Sequence, residues 1–347
     1  MTRALFRRPL LAILAAALLW PTWAQADAVD ALRSFVKDVQ SGRGAFSQVV
    51  PAGTTKTIDL GGQGIAERRD QFSAAVHSRS GRVIAEVAQS FDGSLGPKGL
   101  QLSFGVPAPQ RSWAFAGGFT GTGAAEHVVV QNPGDQRASV LIQVTPYGAS
   151  TSPPEPIDVT VEARCYAVVD LSAETRIPGV GYHSIQLESD QPVVVARTTI
   201  LSGPPDAAQD PAVAVRPALS RGVAISTGSP VAARAWTVPA IDAGASPVPV
   251  VMVHNPGVGI AKVSLSSVTA GAVSDVADAT GIEVAPGDSV AVELPTGGGV
   301  EATIQVRSSE PVVVERITTY GPDVDLAFDL AVAVHGGSEP LAVLGTR

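Results

Sequence analysis

The sequence has few of the residues on which most catalytic and metal sites depend. Its 347 residues include one cysteine and five histidines, and aromatic residues make up only 5%. A single cysteine, Cys165, excludes an intrachain disulfide, so each domain must be stabilised by its hydrophobic core. The histidines have no cysteine or H-x-x-x-H partner, which argues against a zinc site. They are predicted to be surface or strand-end residues: His77, His127, His183, His254 and His335.

Catalytic and ligand-binding motifs are also scarce. Cys165 has no histidine nearby in sequence and follows a strand-like pattern, so we expect a buried, inert thiol rather than a nucleophile. Asp323, Asp325 and Asp329 lack the spacing and the distal glutamate of a calcium loop, which favours a solvated loop. The sequence therefore predicts no catalytic residue, no cofactor and no metal, and a protein that is not an enzyme.

The sequence has fewer basic than acidic residues. The chain has 24 basic and 32 acidic residues, a formal net charge of −8. Residues 1–26 contain three arginines and no acidic residue, so their removal would bring the charge to −11. Because nucleic acid and anionic lipid both require a basic face, we expect neither as a partner.

Residues 1–26 have the pattern of a signal peptide. Arg3, Arg7 and Arg8 form a basic segment, residues 10–19 an apolar segment too short to span a bilayer comfortably, and Ala24-Gln25-Ala26 a small-x-small cleavage site. An uncleaved anchor helix is the alternative. We therefore expect an exported protein, periplasmic or extracellular at the cell surface.

Most of the remaining chain repeats itself. Trp113 recurs as Trp236 and Asn132-Pro133-Gly134 as Asn255-Pro256-Gly257, each displaced by 123 residues. Residues 191–197 recur as 310–316, displaced by 119, and a third, broken copy aligns Val83-Ile84-Ala85-Glu86 with Val312-Val313-Val314-Glu315. The predicted organisation is a signal peptide at 1–26, a helix plus strand at 27–49, a partial repeat at 50–110, repeat 1 at 111–233 and repeat 2 at 234–347.

The repeats have the pattern of antiparallel sheet. Short β-branched runs such as His127–Gln131, Ser184–Leu187 and Val193–Val195 are separated by turn residues, and the 27 prolines and 35 glycines suit turns and sheet edges. Only residues 28–40 have helical periodicity. The predicted fold class is all-β: tandem immunoglobulin-like antiparallel β-sandwiches, preceded by a signal peptide and one short amphipathic helix.

Trp113 and Trp236 are the candidate site residues. A tryptophan at the same place in each copy is either a packing anchor, in the core or between domains, or a platform on which a ligand such as a sugar stacks.

Two resemblances to known families divide the chain. Residues 27–48, with Gly44-Ala45-Phe46-Ser47-Gln48 after the predicted helix, resemble the start of the periplasmic outer-membrane lipoprotein carrier family LolA, which implies an unclosed β-barrel that carries lipoproteins. Residues 50–347, with Trp113-Ala114-Phe115-Ala116-Gly117-Gly118 and Asn132-Pro133-Gly134, resemble a domain family of unknown function from exported or envelope proteins of high-GC Gram-positive bacteria. That resemblance implies tandem sandwiches and supplies no ligand. The two meet near Val49, which indicates either a gene fusion or a recombined or mis-assembled front segment.

These patterns predict an exported, non-catalytic cell-envelope protein with a structural, adhesive or ligand-presenting role. A lipoprotein carrier of LolA type is the alternative, and a carbohydrate-binding module the second alternative. Expected partners are an envelope polymer, a protein or a lipoprotein. Self-association through the incomplete 50–110 repeat is a further expectation, because half a sandwich exposes an apolar face and an unpaired edge.

Overall fold

A computed structural model describes residues 47–60, 73–92, 98–121, 123–148, 153–177, 181–201, 222–241, 249–294, 302–319, 326–334 and 338–340. The regular secondary structure in these ranges is β-strand, and they contain no helix of the length and apolarity needed to cross a membrane. The predicted signal peptide and the predicted helix over 28–40 lie outside the described residues. Two compact units make up the chain, Met1–Val83 and Ile84–Arg347.

The described part of the first unit, residues 47–60 and 73–83, is mostly exposed and contains no strand. Thr54 closes a turn, since its backbone N–H and its hydroxyl both donate to the carbonyl of Pro51, at 3.2 and 2.7 Å. Lys56 donates to the side-chain oxygen of Gln48.

The second unit begins with a two-stranded hairpin. Strand β1 (Glu86–Asp92) pairs antiparallel with β2 (Lys98–Phe104), Glu86 opposite Phe104. This hairpin lies in the region predicted as a partial repeat, and it is the only paired structure that the described residues of 50–109 form.

A seven-stranded sandwich follows. Its strands are β3 (Gln110–Thr120), β4 (Ala124–Gln131), β5 (Ala138–Pro146), β6 (Ile157–Val161), β7 (Tyr166–Asp170), β8 (Gly181–Leu201) and β9 (Gly222–Thr227). The first half of β8 pairs with β3 and β5, and the second half pairs with β4 and β9, so β8 belongs to both sheets. Strand β4 alternates buried and half-buried residues, as expected where one face of a strand lines a core. Buried side chains of both sheets, including Trp113, Ile142 and Val195, fill the space between them.

The prediction of two separate strands at Ser184–Leu187 and Val193–Val195 is wrong, because β8 runs through both. Asp190, between them, holds the chain extended: its carboxylate accepts from Ser139 N at 2.8 Å and its carbonyl accepts from Arg111 Nη1 at 2.5 Å. Pro192 follows at the point where the strand passes from one sheet to the other and the register against β3 shifts. The turn-like sequence Asp190-Gln191-Pro192 is therefore the point at which β8 passes from one sheet to the other.

The second sandwich repeats this plan. Its strands are β10 (Val231–Ile241), β11 (Val250–His254), β12 (Ala261–Thr269), β13 (Ala272–Asp275), β14 (Ile282–Val284), β15 (Ser289–Glu293), β16 (Ala302–Thr319), β17 (Leu326–Leu330), β18 (Val332–Ala333) and β19 (Ser338–Pro340). The long strand β16 pairs with β10 and β12 and then with β11 and β17. Both repeats are therefore antiparallel β-sandwiches, as predicted. The immunoglobulin-like type and the domain boundaries stay predictions.

The repeated Asn-Pro-Gly motif is a turn that ties three strands together. Asn132 Nδ2 donates to the carbonyls of Gln136 and Val161 at 2.7 and 3.0 Å, and its Oδ1 accepts from Gly134 N at 3.0 Å. Asn255 makes the same three bonds in the second copy, at 2.7, 2.9 and 3.0 Å. A buried amide that satisfies donors and acceptors in both copies explains why the motif recurs.

Candidate functional site

The two sandwiches share a buried interface. One face of the β11 and β16 region of the second sandwich packs against β3, β8 and β9 of the first, and the apolar residues there are at most 8% exposed. The members are Ala114, Ala116, Phe119, Ala124, Tyr182, Leu201, Ala224, Ala232, Val250, Met252, Val313 and Ile317. Such a continuous apolar contact resembles the core of one domain more than the polar interfaces usual between tandem domains.

Two glycines in β3 make close packing possible at the centre of this interface. The register of β3 against β8 shifts between Phe115 and Gly118. A Cβ on Gly117 would lie 2.6 Å from Met252 Cγ, and a Cβ on Gly118 would lie 2.4 Å from Glu126 Oε1. A side chain at either position would collide with its neighbours, so the bulge requires glycine.

Glu126 and His183 form a buried hydrogen-bonded pair beside this bulge. Glu126 lies on the inward face of β4, and its Oε1 is 2.8 Å from His183 Nε2 on β8, with side chains 0% and 1% exposed. The other oxygen of Glu126 accepts from Phe119 N at 3.0 Å and from the Thr199 hydroxyl at 2.9 Å. Every oxygen of this buried carboxylate therefore has a donor.

Arg197 and Glu315 extend the cluster across the interface. Glu315 belongs to the second sandwich, yet its Oε2 accepts from Gly117 N of the first at 2.9 Å. Arg197 Nη2 is 3.4 Å from both oxygens of Glu315 and donates to Ser226 Oγ at 3.1 Å. The guanidinium also lies over the Phe115 ring, 4.8 Å from its centre. Four ionisable side chains, Glu126, His183, Arg197 and Glu315, thus meet in one buried group, which we call the seam cluster.

The pKa values of the two carboxyls of the seam cluster are shifted in opposite directions. Burial by itself raises the pKa of Glu126, but the charge of His183, its hydrogen bond and the charge of Arg197 outweigh it, so this pKa is lowered. Burial raises the pKa of Glu315, and Arg197 and the Gly117 N–H offset only part of that rise. Two buried carboxyls whose pKa values are shifted in opposite directions are a pattern of acid–base sites. Here, however, all four side chains are at most 1% exposed, so no substrate reaches them in this conformation.

The seam cluster was not predicted from the sequence. His183 and His254 were predicted to be surface or strand-end residues. Neither lies at the surface, since they are 1% and 0% exposed, but His254 is the last residue of strand β11. One signal was present in the sequence. Glu126 lies an even number of residues from Ala124, Val128 and Val130, which places all four on the buried face of β4. His77 is exposed, His127 is half-buried with Nε2 3.8 Å from Asp170, and His335 lies outside the described residues.

His254 is a second buried titratable group in the second sandwich. Its Nδ1 is 3.0 Å from the carbonyl of Asp288 and 3.1 Å from Ser289 Oγ, and its Nε2 has no hydrogen-bond partner within the described ranges. Burial lowers the pKa of His254 to about 4. The imidazole is therefore neutral at ordinary pH and must acquire a charge if the solution becomes acidic.

Cys165 is exposed, so the prediction of a buried thiol is wrong. It ends a tight turn between β6 and β7, in which Cys165 N donates to Glu162 O at 3.1 Å and Arg164 has a φ of 58°. The residues after it form the half-exposed strand β7, and the turn places the thiol outside the core. The sequence resembles a strand interior because the turn is only four residues long.

Trp113 and Trp236 occupy equivalent places in the two cores. Both are 1% exposed, and their indole N–H groups donate to the carbonyls of Val193 and Val312 at 3.0 and 2.8 Å. Each ring thereby fixes the long strand of its sandwich at the crossing between sheets. Neither ring offers a face to a ligand in this conformation.

The described residues contain no group of three or more His, Cys, Asp or Glu that could hold a metal ion. The prediction of a solvated loop is wrong for Asp329, which lies in strand β17 and pairs with Arg316 Nη2 at 2.5 Å. Asp323 and Asp325 lie outside the described residues.

Two solved structures are similar to parts of this chain. A Thermotoga maritima protein, 1070, has a crystal structure that matches 35% of this chain and 94% of its own at 20% identity, with a TM-score of 0.28. The Anabaena sensory rhodopsin transducer matches 27% of this chain and 91% of its own at 26% identity, with a TM-score of 0.23. No curated protein sequence matches the chain. A family of unknown function, DUF5719, matches residues 38–226, more than half of the chain and on both sides of Val49, and the chain therefore belongs to that family.

Proposed function

We propose that this protein is an exported, non-catalytic component of the cell envelope, in which two β-sandwiches act as one rigid unit that spaces or presents what is attached to it. The observation that carries the proposal is the position of Glu315. The carboxyl of Glu315, in the second sandwich, is buried against the first, where it accepts from Gly117 N and faces Arg197. Sandwiches joined in this way cannot move independently without breaking buried polar contacts.

The energetic cost of such movement supports rigidity. Separating the sandwiches would take Arg197 away from Glu315 and expose the apolar residues around Met252 and Ile317. Burial of apolar surface contributes roughly 25 cal/mol per Å², and each large side chain about 1.5–3 kcal/mol, so a dozen buried residues resist hinge motion. Interfaces between independent domains are usually smaller and more polar.

The placement of the ionisable groups supports a non-catalytic role. The groups with perturbed pKa values at the interface, Glu126 and Glu315, face inward and bind backbone N–H groups of the same bulge. Perturbed groups at active sites usually line a cleft. In this protein Glu315 binds one sandwich to the other, and Glu126 binds within the first sandwich beside it. The envelope location rests on the signal-peptide pattern of residues 1–26.

The alternatives have less support. The lipoprotein-carrier alternative depends on residues 27–48, of which only Ser47 and Gln48 lie in the described ranges. The carbohydrate-binding alternative requires an accessible aromatic face, and Trp113 and Trp236 are buried.

Distance measurements between spin labels test the rigidity. The exposed thiol of Cys165 carries one label in the first sandwich, and Val273→Cys, at a site 67% exposed, carries the other in the second. Rigid docking predicts a distance distribution as narrow as that of a control pair within the first sandwich, Cys165 with Asp158→Cys. A distribution several times broader would refute the rigid-unit proposal.

Cell fractionation tests the location and is independent of the first experiment. We expect the full-length chain, expressed in a bacterial host, to appear in the exported fraction with a new N-terminus at Asp27. Retention in the cytoplasm with Met1 intact would refute the exported location.

A further inference from the structure

The hairpin β1–β2 has one covered and one exposed side. Side chains alternate along a strand, and residues directly opposite each other on paired strands share a side. Gln101 therefore lies on one side of the hairpin, and Leu102, opposite Ala88, lies on the other. Gln101 is 8% exposed and accepts from Ile225 N of β9 at 3.4 Å, so its side packs against the first sandwich.

The exposed side, here called the open face, carries a row of large apolar side chains. Its residues on β2 are Leu100, Leu102 and Phe104, which are 57%, 60% and 66% exposed. Its residues on β1, all exposed, are Glu86, Ala88 and Ser90. Large contiguous apolar patches on a protein surface mark interaction sites.

The equivalent face of the second sandwich is buried in an interface. The repeat aligns Glu86 with Glu315, and each stands opposite an apolar residue of the next strand, Phe104 and Leu330. Glu315 is 0% exposed and Ile317 is 1% exposed, because the first sandwich covers them. This face of the repeated hairpin is thus a contact surface in the second copy.

The sandwich ends that could receive the open face in the same way are already occupied. Arg197 of the first sandwich faces Glu315. The equivalent arginine of the second sandwich, Arg316, is bound by Asp329 and by the carbonyl of Pro239. The open face therefore needs a different surface as its partner.

The open face is complementary to itself. Its β2 row is bulky and its β1 row is small at the centre, where Ala88 lies opposite Leu102 and Ser90 opposite Leu100. A two-fold axis along the strands would place β2 of each copy over β1 of the other, so that each leucine packs on alanine or serine. An axis across the strands would instead set leucine on leucine. Facing layers pack best when large residues meet small ones, which favours the axis along the strands.

No other strand in the described ranges offers a comparable apolar row. Exposed apolar residues on the other strands there come singly or in pairs, such as Val273 on β13 or Tyr166 and Val168 on β7. A contact between two different surfaces of two copies would require a second such row. Contact of the open face with itself requires none.

We propose that two copies of this protein form a dimer through the open face, with Leu102 of each copy packed against Ala88 of the other. A two-fold contact of this kind closes on itself and gives a dimer and nothing larger. Strand β2 has seven residues, so the contact is about 23 Å long and two strands wide. That size belongs to weak, transient interfaces, so we expect dissociation in the high micromolar range. The proposal goes beyond the function proposed above, which a monomer would satisfy.

Sedimentation velocity of the mature chain from micromolar to millimolar concentration tests association. The expected result is an equilibrium between monomer and dimer. Leu102→Asp should weaken it roughly tenfold or more, because an unpaired carboxylate enters an apolar contact. Val258→Asp, at a site 92% exposed and outside the open face, should leave it unchanged. If Leu102→Asp melts below wild type, Ala88→Arg on the facing strand takes its place.

Three results of this experiment would overturn the proposal. They are a wild-type chain that stays monomeric at millimolar concentration, species larger than the dimer, and an equal effect of the open-face variant and Val258→Asp.

Disulfide cross-linking tests the direction of the two-fold axis. In a Cys165→Ser background, a mixture of Ala88→Cys and Leu102→Cys chains should form a cross-linked dimer that contains one chain of each variant. Each variant alone should form much less. Equal cross-linking within each variant would refute the axis along the strands. Absence of cross-links at concentrations where the wild type dimerises would show that the dimer does not use the open face.

Discussion

The replacement of Glu315 by alanine tests the central contact between the sandwiches. The side chain is 0% exposed, accepts from Gly117 N at 2.9 Å and faces Arg197 Nη2 at 3.4 Å. The variant leaves a buried N–H without its acceptor and a buried guanidinium without one of its two carboxylates. Glu310, on the same strand, is the matched control, because it pairs with Arg234 at 3.2 Å with both side chains over 40% exposed.

The magnitude follows from burial. Removing one partner of a buried ion pair costs about 3–5 kcal/mol, and an unsatisfied buried N–H contributes about 1–3 kcal/mol of such a loss. Because Glu126 also acts on Arg197, the guanidinium keeps part of its compensation, and we expect a loss of about 3 kcal/mol for Glu315→Ala. Glu315→Gln, which retains an acceptor, should lose about 1 kcal/mol, and Glu310→Ala less than about 1 kcal/mol.

Equilibrium unfolding in urea, followed by tryptophan fluorescence, measures these differences. Each core contains one of the buried tryptophans, Trp113 and Trp236, so both sandwiches contribute to the signal. We expect one transition in the wild type and, in Glu315→Ala, an earlier transition that separates into two as the sandwiches uncouple. If Glu315→Ala and Glu310→Ala unfold at the same urea concentration, Glu315 does not couple the sandwiches as described.

Three further predictions concern other buried groups. Burial lowers the pKa of His254 from 6.5 to about 4. The neutral imidazole therefore contributes about 3 kcal/mol to the free energy of unfolding, which is complete above pH 6.5 and is lost as the pH falls towards 4. Urea unfolding at pH 6.5 and at pH 4 should show this loss in the wild type and not in His254→Gln. Gly118→Ala should cost about 2–4 kcal/mol, because its Cβ would meet Glu126 Oε1 at 2.4 Å, while Gly105→Ala, with no neighbour closer than 3.5 Å, should leave the melting temperature nearly unchanged. Trp236→Ala should cost about 3–5 kcal/mol, and a fully stable variant with altered ligand retention would instead indicate a stacking role.

Local sequence patterns predicted much of the fold. Alternation along β4, turn residues after it and the repeated Asn-Pro-Gly motif correctly indicated antiparallel sandwiches made twice. The same patterns failed at Asp190-Gln191-Pro192, where a turn-like sequence is held extended by bonds to Ser139 and Arg111. Those partners are distant in sequence, and no local pattern contains them.

The seam cluster could be predicted only in part. The inward position of Glu126 follows from the period of two along its strand. Its pairing with His183 depends on the neighbouring long strand, and the arrival of Glu315 depends on how the two sandwiches dock. Both contacts depend on how separate strands and sandwiches pack, and a single sequence does not contain that information.

The sequence by itself determined the β-strand class, the duplication and the Asn-Pro-Gly turns, because each arises from residues that are neighbours along the chain. Only the tertiary structure decided that Cys165 is exposed, that β8 and β16 cross between sheets, and that Glu315 enters the first sandwich through the Gly117–Gly118 bulge. These outcomes depend on contacts between residues up to 198 positions apart. Such contacts are selected by the free energy of burying whole surfaces, which no stretch of sequence possesses alone.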